Sequence, residues 1–458
     1  MNEMPLSWVT RPFGELNKFY GTNIDPASHP AERFELYSIP VFPAGKPEQP
    51  LGSEVGSTKQ MVEHNDVLIS KINPRINRVW QVGPSMGLRQ IASSEWIGFR
   101  SPQMDARFFR YYFTGPIFRD LLCSDVTGVG GSLTRAQPKR VAGFPVPVAP
   151  VNEQKRIADK LDTVLTRVDA VNTRLARVAP IVKRFRQSVL AAATSGRLTE
   201  DWRTAHGVKA ASDAVEDTPF SAKQMTHLLS KVRTPLKTGP FGTLLSKSEH
   251  VAQGIEVVGI ENIDQGKFIA GSKIRITPEK ALELSAYDLE AGDVIISRSG
   301  TVGEVCVVPA GLGELRFSTN IIRVVLDEAI IKPNYFVFLF LGCTQVLKQV
   351  GDLCKGSTRL FLNQTILNAI SYPLPGREEQ SEIIRRVESL FAFADRLEAR
   401  LLAAQTATER LTPALLGKAF RGELVPQDPN DEPASELLRR LHQETPSTSA
   451  KRGRKSAA

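Results

Sequence analysis

The chain has 458 residues, of which 41% are hydrophobic and 23% charged, enough for two or three ordinary domains. No run of about 18 apolar residues is present, which excludes an apolar membrane-spanning helix. The formal net charge of +9 favours a polyanionic partner.

The N-terminus, with Glu3, Pro5 and Trp8 early, does not have the pattern of a signal peptide. Cys123, Cys306, Cys343 and Cys354 form no CxxC and no Cys/His pair at zinc spacing. A cytoplasmic setting with reduced thiols and no metal centre is expected.

In chain order, the first marked element is Asn65-Asp66-Val67-Leu68-Ile69-Ser70-Lys71, a turn followed by a buried strand that ends in a cation. An aromatic helix follows over Asp105 to Phe113, with Phe108, Phe109, Tyr111 and Tyr112. A small-residue loop, Gly130-Gly131-Ser132-Leu133-Thr134-Arg135, precedes Pro147 and the helix opener Glu153-Gln154. From there Ile157, Leu161, Val164, Val168, Val171, Leu175, Val178, Val182, Phe185 and Val189 recur in steps of four and three, the seam of a coiled coil. Gly196-Arg197-Leu198 closes the helix, since Gly accepts the left-handed conformation at a helix end. About 40 residues of helix reach roughly 60 Å. Pro180 lies inside the pattern and should bend or interrupt it.

The polar stretch Thr204 to Lys231, with Asp213, Glu216, Asp217 and Pro219, reads as a linker. After it the plan repeats. Gly292-Asp293-Val294-Ile295-Ile296-Ser297-Arg298 stands 227 positions beyond the first strand, and Lys332 to Phe340, with Tyr335, Phe336 and Phe338, stands 227 beyond the first aromatic helix. Lys355-Gly356-Ser357-Thr358-Arg359 answers the first small-residue loop, and Pro373 answers Pro147. Glu379-Gln380 opens a second helix 226 positions after the first, and Gly422-Glu423-Leu424 ends it at the same offset. Its seam is Ile383, Val387, Leu390, Ala394, Leu397, Leu401, Ala404, Thr408, Leu411 and Leu415, with Pro413 inside, which should bend or interrupt it as Pro180 does the first. The tail ends in the basic run Lys451-Arg452-Gly453-Arg454-Lys455, which composition assigns to a disordered arm.

The two helix stretches align without a gap, and a repeat of this length makes the protein two copies of one plan. The predicted class is α+β: two mixed α/β domains joined by two long antiparallel coiled-coil helices, related by a pseudo-two-fold repeat. The expected boundaries are 1–147 (first domain), 148–203 (helix), 204–231 (linker), 232–374 (second domain), 375–425 (helix) and 426–458 (tail). Helix pairing is expected through Ile157, Leu161, Val164, Val168, Val171 and Leu175 on one side, and Ile383, Val387, Leu390, Leu397 and Leu401 on the other. The turn after Gly196 is expected to accept insertions. Residues 10–60 and 235–290 have little in common, as suits two readers of different targets on one scaffold.

Catalytic signatures are missing from the sequence. It contains no G-x-x-x-x-G-K-[ST] phosphate loop, no Asn-Pro-Pro-Tyr or Asp-Pro-Pro-Tyr, and no paired-histidine metal signature among its six histidines. Gly128-Val129-Gly130-Gly131 is too short and wrongly placed for a dinucleotide-binding turn. Asp66 and Asp293 could suggest a nuclease, but a position just before a buried strand fits a turn role better. The aromatic patches fall at helical spacing and read as core. Duplex DNA is read by Arg and Lys on guanine and by Asn and Gln on adenine, and is held by cations on phosphate. The candidates in the first domain are Lys71, Arg75, Arg78, Arg89, Arg135, Lys139 and Arg140. In the second they are Lys237, Lys247, Arg298, Lys355 and Arg359, with Ser299-Gly300-Thr301 letting the backbone approach a phosphate. For each of these the competing reading is a solvated surface cation.

The order of these parts resembles the specificity subunit of a type I restriction-modification enzyme, from Pro5-Leu6-Ser7-Trp8 to Ala434-Ser435-Glu436-Leu437-Leu438. The resemblance rests on the Pro147-to-Gln154 and Pro373-to-Gln380 openers, the Gly-x-Leu helix ends, and segments such as Thr238-Gly239-Pro240-Phe241-Gly242 and Gly292-Asp293-Val294-Ile295. It implies two target recognition domains that each read one half of a bipartite, asymmetric double-stranded DNA target. It implies helices that set the spacer and dock two methyltransferase (modification) subunits, and recruitment of translocase-endonuclease (restriction) subunits. The chain itself would be non-catalytic and hold no cofactor, with S-adenosylmethionine on the methyltransferases. Two other classes stay open at this point: a stand-alone nuclease or nucleic-acid modifying enzyme, and a coiled-coil adaptor without a DNA role.

Overall fold

The computed structural model describes residues 4–124, 134–214, 218–241, 244–300, 302–354 and 361–443. The chain divides into two units, Met1–Leu175 with Ala403–Ala458, and Ala176–Leu402.

The first unit holds two small sheets. In one, Val67–Ser70 lies between Val79–Gln81 and Trp96–Phe99, antiparallel to both. Its central strand is buried along its whole length, which is why its sequence is a continuous apolar run and not an alternation. In the other, Arg89–Ser93 pairs in parallel with Phe34–Tyr37 and antiparallel with Lys59–Met61. The aromatic helix is Ala106–Thr114, and Phe108, Phe109, Tyr111, Tyr112 and Phe113 are all buried. The rings of Phe13, Phe99, Phe113 and Phe118 pack at 4.7–6.5 Å around them. The aromatic patch is core, as its spacing predicts.

The second unit repeats this arrangement. Val294–Ser297 lies between Val305–Val307 and Ile321–Val324, antiparallel to both. A parallel pair joins Ile255–Val258 to Leu315–Phe317. Pro333–Gly342 is the second aromatic helix, with Tyr335, Phe336, Phe338 and Phe340 buried. Each unit is also closed by an antiparallel pair at its base: Val9–Pro12 with Pro145–Val148, and Ser221–Gln224 with Ser371–Leu374. The segment read as a linker therefore supplies a strand, because its backbone finds an edge left open by Ser371–Leu374.

The first long helix runs Val151–Ala176 and resumes as Val178–Thr194, with a break at Arg177. Pro180 accounts for the break: it has no N–H to offer Ala176, and its ring would collide with that carbonyl. The second helix is continuous over Arg377–Ala419, with Pro413 inside it. In the second unit the two helical segments run antiparallel. Arg186 bonds Asp395 and Glu398, and further on Asp201 and the Leu198 carbonyl receive Arg386.

Of the predicted seam, Ile157, Leu161, Val168, Ile383, Val387 and Leu401 are buried. Val164, Leu175, Leu390 and Leu397 are half-buried, and Val171 is 41% exposed. Leu190 and Leu416 fall outside the four-three series yet are buried. Near its end each helix packs on its α/β domain as well as along the seam, so a wider apolar stripe is needed than a pure coiled coil shows. Leu416, Ala419 and Phe420 join Ile157, Leu161 and Phe108 in one core of the first unit. Val189 and Leu190 join Ile383, Val387 and Phe336 in that of the second.

The Glu-Gln openers are joints. Gln154 is buried; its Oε1 accepts the Asp105 N–H at 3.0 Å and its Nε2 donates to the Ala149 carbonyl at 2.8 Å. Gln380 repeats this with the Lys332 N–H at 2.8 Å and the Pro375 carbonyl at 3.0 Å, and adds the Ile330 carbonyl at 3.0 Å. The neighbouring Glu153 accepts from Trp8 Nε1 and Gln427 Nε2, whereas Glu379 accepts from Thr199 and Arg203. Burial pushes the Glu153 carboxyl above its ordinary range, partly offset by those donors.

The turn after Gly196 is not free to accept insertions. Arg203 donates to the Gly196 carbonyl, and the fully buried Thr199 holds Glu379. Gly196 itself has φ +77°, and a Cβ there would lie 2.7 Å from Pro219. Gly196→Ala is therefore expected to cost about 1–2 kcal/mol from the left-handed backbone alone, read as a lower urea midpoint; an unchanged midpoint would show that the turn relaxes.

Candidate nucleic-acid interface

In each unit the chain leaves the central strand and enters a loop braced by the segment that precedes the long helix. In the first unit the Lys71 N–H donates to the Glu95 carbonyl, and the Lys71 carbonyl accepts from Ala136. The Asn73 N–H donates to Thr134, and Ile72 bridges to Arg135. Asn73 and Asn77 both take left-handed backbone, φ 48° and 49°, a conformation Asn tolerates better than most residues. Asn77 Nδ2 then ties the loop to the Phe113 and Thr114 carbonyls.

This bracing brings together Lys71, Arg78 and Arg135. Lys71 Nζ donates to the Ser94 carbonyl, and burial pushes its pKa down. Arg78 Nη1 lies 3.5 Å from the Ile72 carbonyl. Arg135 pairs with Glu95 at 3.2 Å and keeps 57% of its side chain exposed. Arg75 is exposed on the same loop, and Lys139 and Arg140 are exposed on the short helix Pro138–Val141 that follows. Arg89 stands apart: it belongs to the other sheet, chelates Glu32 and lies 5.2 Å over the Phe34 ring.

The second unit builds the same node. The Arg298 N–H donates to the Asn320 carbonyl, and its own carbonyl accepts from Leu362. Arg298 Nη1 reaches the Thr319 carbonyl at 3.3 Å, as Lys71 reaches Ser94. Arg298 is only 6% exposed and lies between the rings of Phe241 and Phe361, 4.8 and 4.2 Å away. Ser299 bonds Asn320, and Gln364 reaches Thr238. Lys237 covers the Tyr287 ring at 4.6 Å, and Lys247 is exposed on a separate short helical turn. Lys355 and Arg359 lie outside the described residues, as do Gly130 to Leu133, Thr301 and the basic C-terminal run.

The sequence reading missed Phe241, Phe361 and Glu95 as neighbours of these cations. No local signal marks them, because the contacts join segments far apart in the chain.

The two acidic residues weighed as nuclease candidates are turn residues. Asp66 is 1% exposed, accepts the Glu63 N–H at 2.8 Å, and is chelated by Arg100 at 2.6 and 2.7 Å. Asp293 accepts the Glu290 N–H at 2.9 Å and pairs with Arg233. Among the described residues no group of three His, Cys, Asp or Glu side chains converges as a metal site, and no single helix is long and apolar enough to cross a membrane.

Two α/β units built on one plan, each with the same helix joint and the same strand-end cation, define a duplicated two-domain protein with long helices. Residues 242–404 match the family described as the type I restriction modification DNA specificity domain. The chain is 32% identical over 285 residues to the EcoBI specificity subunit of Escherichia coli, covering 62% of this chain and 59% of that one. To the StySPI specificity subunit of Salmonella potsdam it is 29% identical, covering 72% and 67%. To the EcoKI specificity subunit of Escherichia coli K12 it is 28% identical, covering 70% and 66%. The match thus spans between 59% and 67% of these curated relatives.

Among solved structures, the HsdS subunit from Thermoanaerobacter tengcongensis shares the fold with a TM-score of 0.57 at 18% identity, over 92% of this chain and 98% of that one. A chain from a study of complex assembly and conformational transition in the type I R-M system gives 0.70 at 18% identity, over 92% and 100%. The chain is thus similar in sequence to specificity subunits of type I restriction enzymes, and its residues 242–404 match that family's DNA specificity domain.

Proposed function

We propose that this chain is the DNA sequence-specificity subunit of a type I restriction-modification assembly. In this reading each unit reads one half of a bipartite, asymmetric target. The long helices set the spacing and dock two methyltransferase subunits, which carry S-adenosylmethionine, and translocase-endonuclease subunits join them in the cytoplasm. The chain itself performs no bond chemistry.

The observation that carries this reading is the strand-end node. Lys71 and Arg298 occupy equivalent places with equivalent backbone bonds, while the segments around them, 10–60 and 235–290, differ in sequence. A scaffold conserved between the halves beneath divergent loops suits two readers of two half-sites, and cations around the node suit a polyanion.

Co-expression with the methyltransferase partner, followed by mapping of methylated bases, tests it. The expected result is one motif in two specified parts separated by a fixed unspecified gap. A continuous motif would remove the two-reader model, and turnover by the purified chain alone would favour an enzyme.

A further inference from the structure

Among the described residues of the second unit three arginines are buried: Arg298, Arg316 and Arg323, at 6%, 5% and 2% exposure. Arg316 has Glu314 at 2.6 Å, and Arg323 has Asp288 at 2.5 Å. Arg298 differs. Among the described residues it has no carboxylate partner, its Nε has no hydrogen-bond partner, and its one acceptor is the Thr319 carbonyl at 3.3 Å. The adjoining segments Gly242-Thr243 and Lys355 to Leu360 contain no Asp or Glu that could supply the missing charge. Burial alone depresses its pKa, with no anion to offset it.

An uncompensated buried guanidinium is costly, and a fold keeps one only where something outside repays it. The two Phe rings orient the guanidinium plane but carry no net charge. Both rings are themselves exposed, Phe241 by 56% and Phe361 by 38%, so the stack lies at the surface. In the first unit a carboxylate stands at the same node: Glu95 pairs with Arg135 at 3.2 Å and partly offsets the effect of burial on Lys71.

We infer that the missing counter-charge of Arg298 is a single backbone phosphate of bound DNA, which seats on the Phe241–Arg298–Phe361 stack. This rests on the DNA-binding reading above and names the group that the second unit grips. A phosphate is favoured over a protein carboxylate because the chain carries a formal net charge of +9, which suits a repeating polyanion.

The test compares the full-length chain with its Arg298→Met and Arg323→Met variants. Methionine keeps an unbranched chain between the rings and removes the charge. Binding is measured to a random-sequence duplex across a salt series, and Tm is measured without DNA. For Arg298→Met the expected Tm is unchanged or higher, because a buried lone charge is gone. Affinity should fall roughly ten-fold or more at low salt, equally for all duplexes, and the slope of log K against log salt should shrink by about 1. Arg323→Met should lower Tm, as the loss of a structural arginine does.

If Arg298→Met lowers Tm as Arg323→Met does, Arg298 is structural and the inference fails. Unchanged affinity and slope would overturn it as well, and a loss confined to particular sequences would make Arg298 a base reader. If the unaltered chain binds no duplex at all, the DNA-binding reading fails and this inference with it.

Discussion

Gln380→Leu is expected to destabilise the second unit by about 3 kcal/mol or more, because it strips partners from three backbone groups at once. The Lys332 N–H loses its acceptor, and the Ile330 and Pro375 carbonyls lose their donor. Leucine fills much of the same volume, so the loss reports hydrogen bonding and not a cavity. Gln154→Leu removes two such bonds, to Asp105 and Ala149, and should cost less, about 2 kcal/mol. Urea unfolding followed by a probe in each unit reads both. A cost below about 1 kcal/mol for Gln380→Leu would mean that water satisfies these groups and that the Glu-Gln opener is not the joint.

Exchanging residues 17–140 for the corresponding part of a relative is expected to change one half of the methylated motif completely and leave the other half as it was. The cut points follow from the structure. Trp8 holds Glu153, Val9–Pro12 pairs with Pro145–Val148, and Ser7 accepts from Ala434, so residues before 17 and after 140 belong to the frame of the unit. A folded chimera that altered both halves of the motif would show that the two units do not read independently. A cut at residue 1 instead of 17 should fold poorly, since it replaces the strand and the tryptophan that grip the helix base.

Much of this architecture is legible in the sequence because duplication makes each weak local signal appear twice. The turn-strand-cation unit at Asp66 and Asp293, the aromatic helices and the helix ends at Gly196 and Gly422 are local patterns, and each occurs as read. The paired closing strands are not legible. Ser221–Gln224 has no alternation or β-branched run, and it becomes a strand only because Ser371–Leu374 offers an edge. The continuous helix through Pro413 also departs from its local signal, as the surrounding tertiary contacts override one lost backbone bond. At the candidate interface the sequence gives the cations but not their neighbours. It could not show that Arg89 is spent on Glu32, or that Arg298 lies between two rings. Those facts depend on contacts across tens of residues.

The division of the chain has a consequence for its synthesis. The second unit is one continuous stretch, Ala176–Leu402, and its residues are all available once that stretch has left the ribosome. The first unit begins earlier but finishes last, because Leu416, Phe420, Ala434 and Leu438 belong to the same core as Phe108, Ile157 and Leu161. Until the final forty or so residues emerge, the nascent first unit presents an apolar surface with nothing to cover it. A message broken after codon 402 would thus yield a product with one complete unit and one sticky, half-built one, a substrate for chaperones and proteases. Nascent-chain proteolysis, stalled at successive lengths, should find the later-starting half protected first.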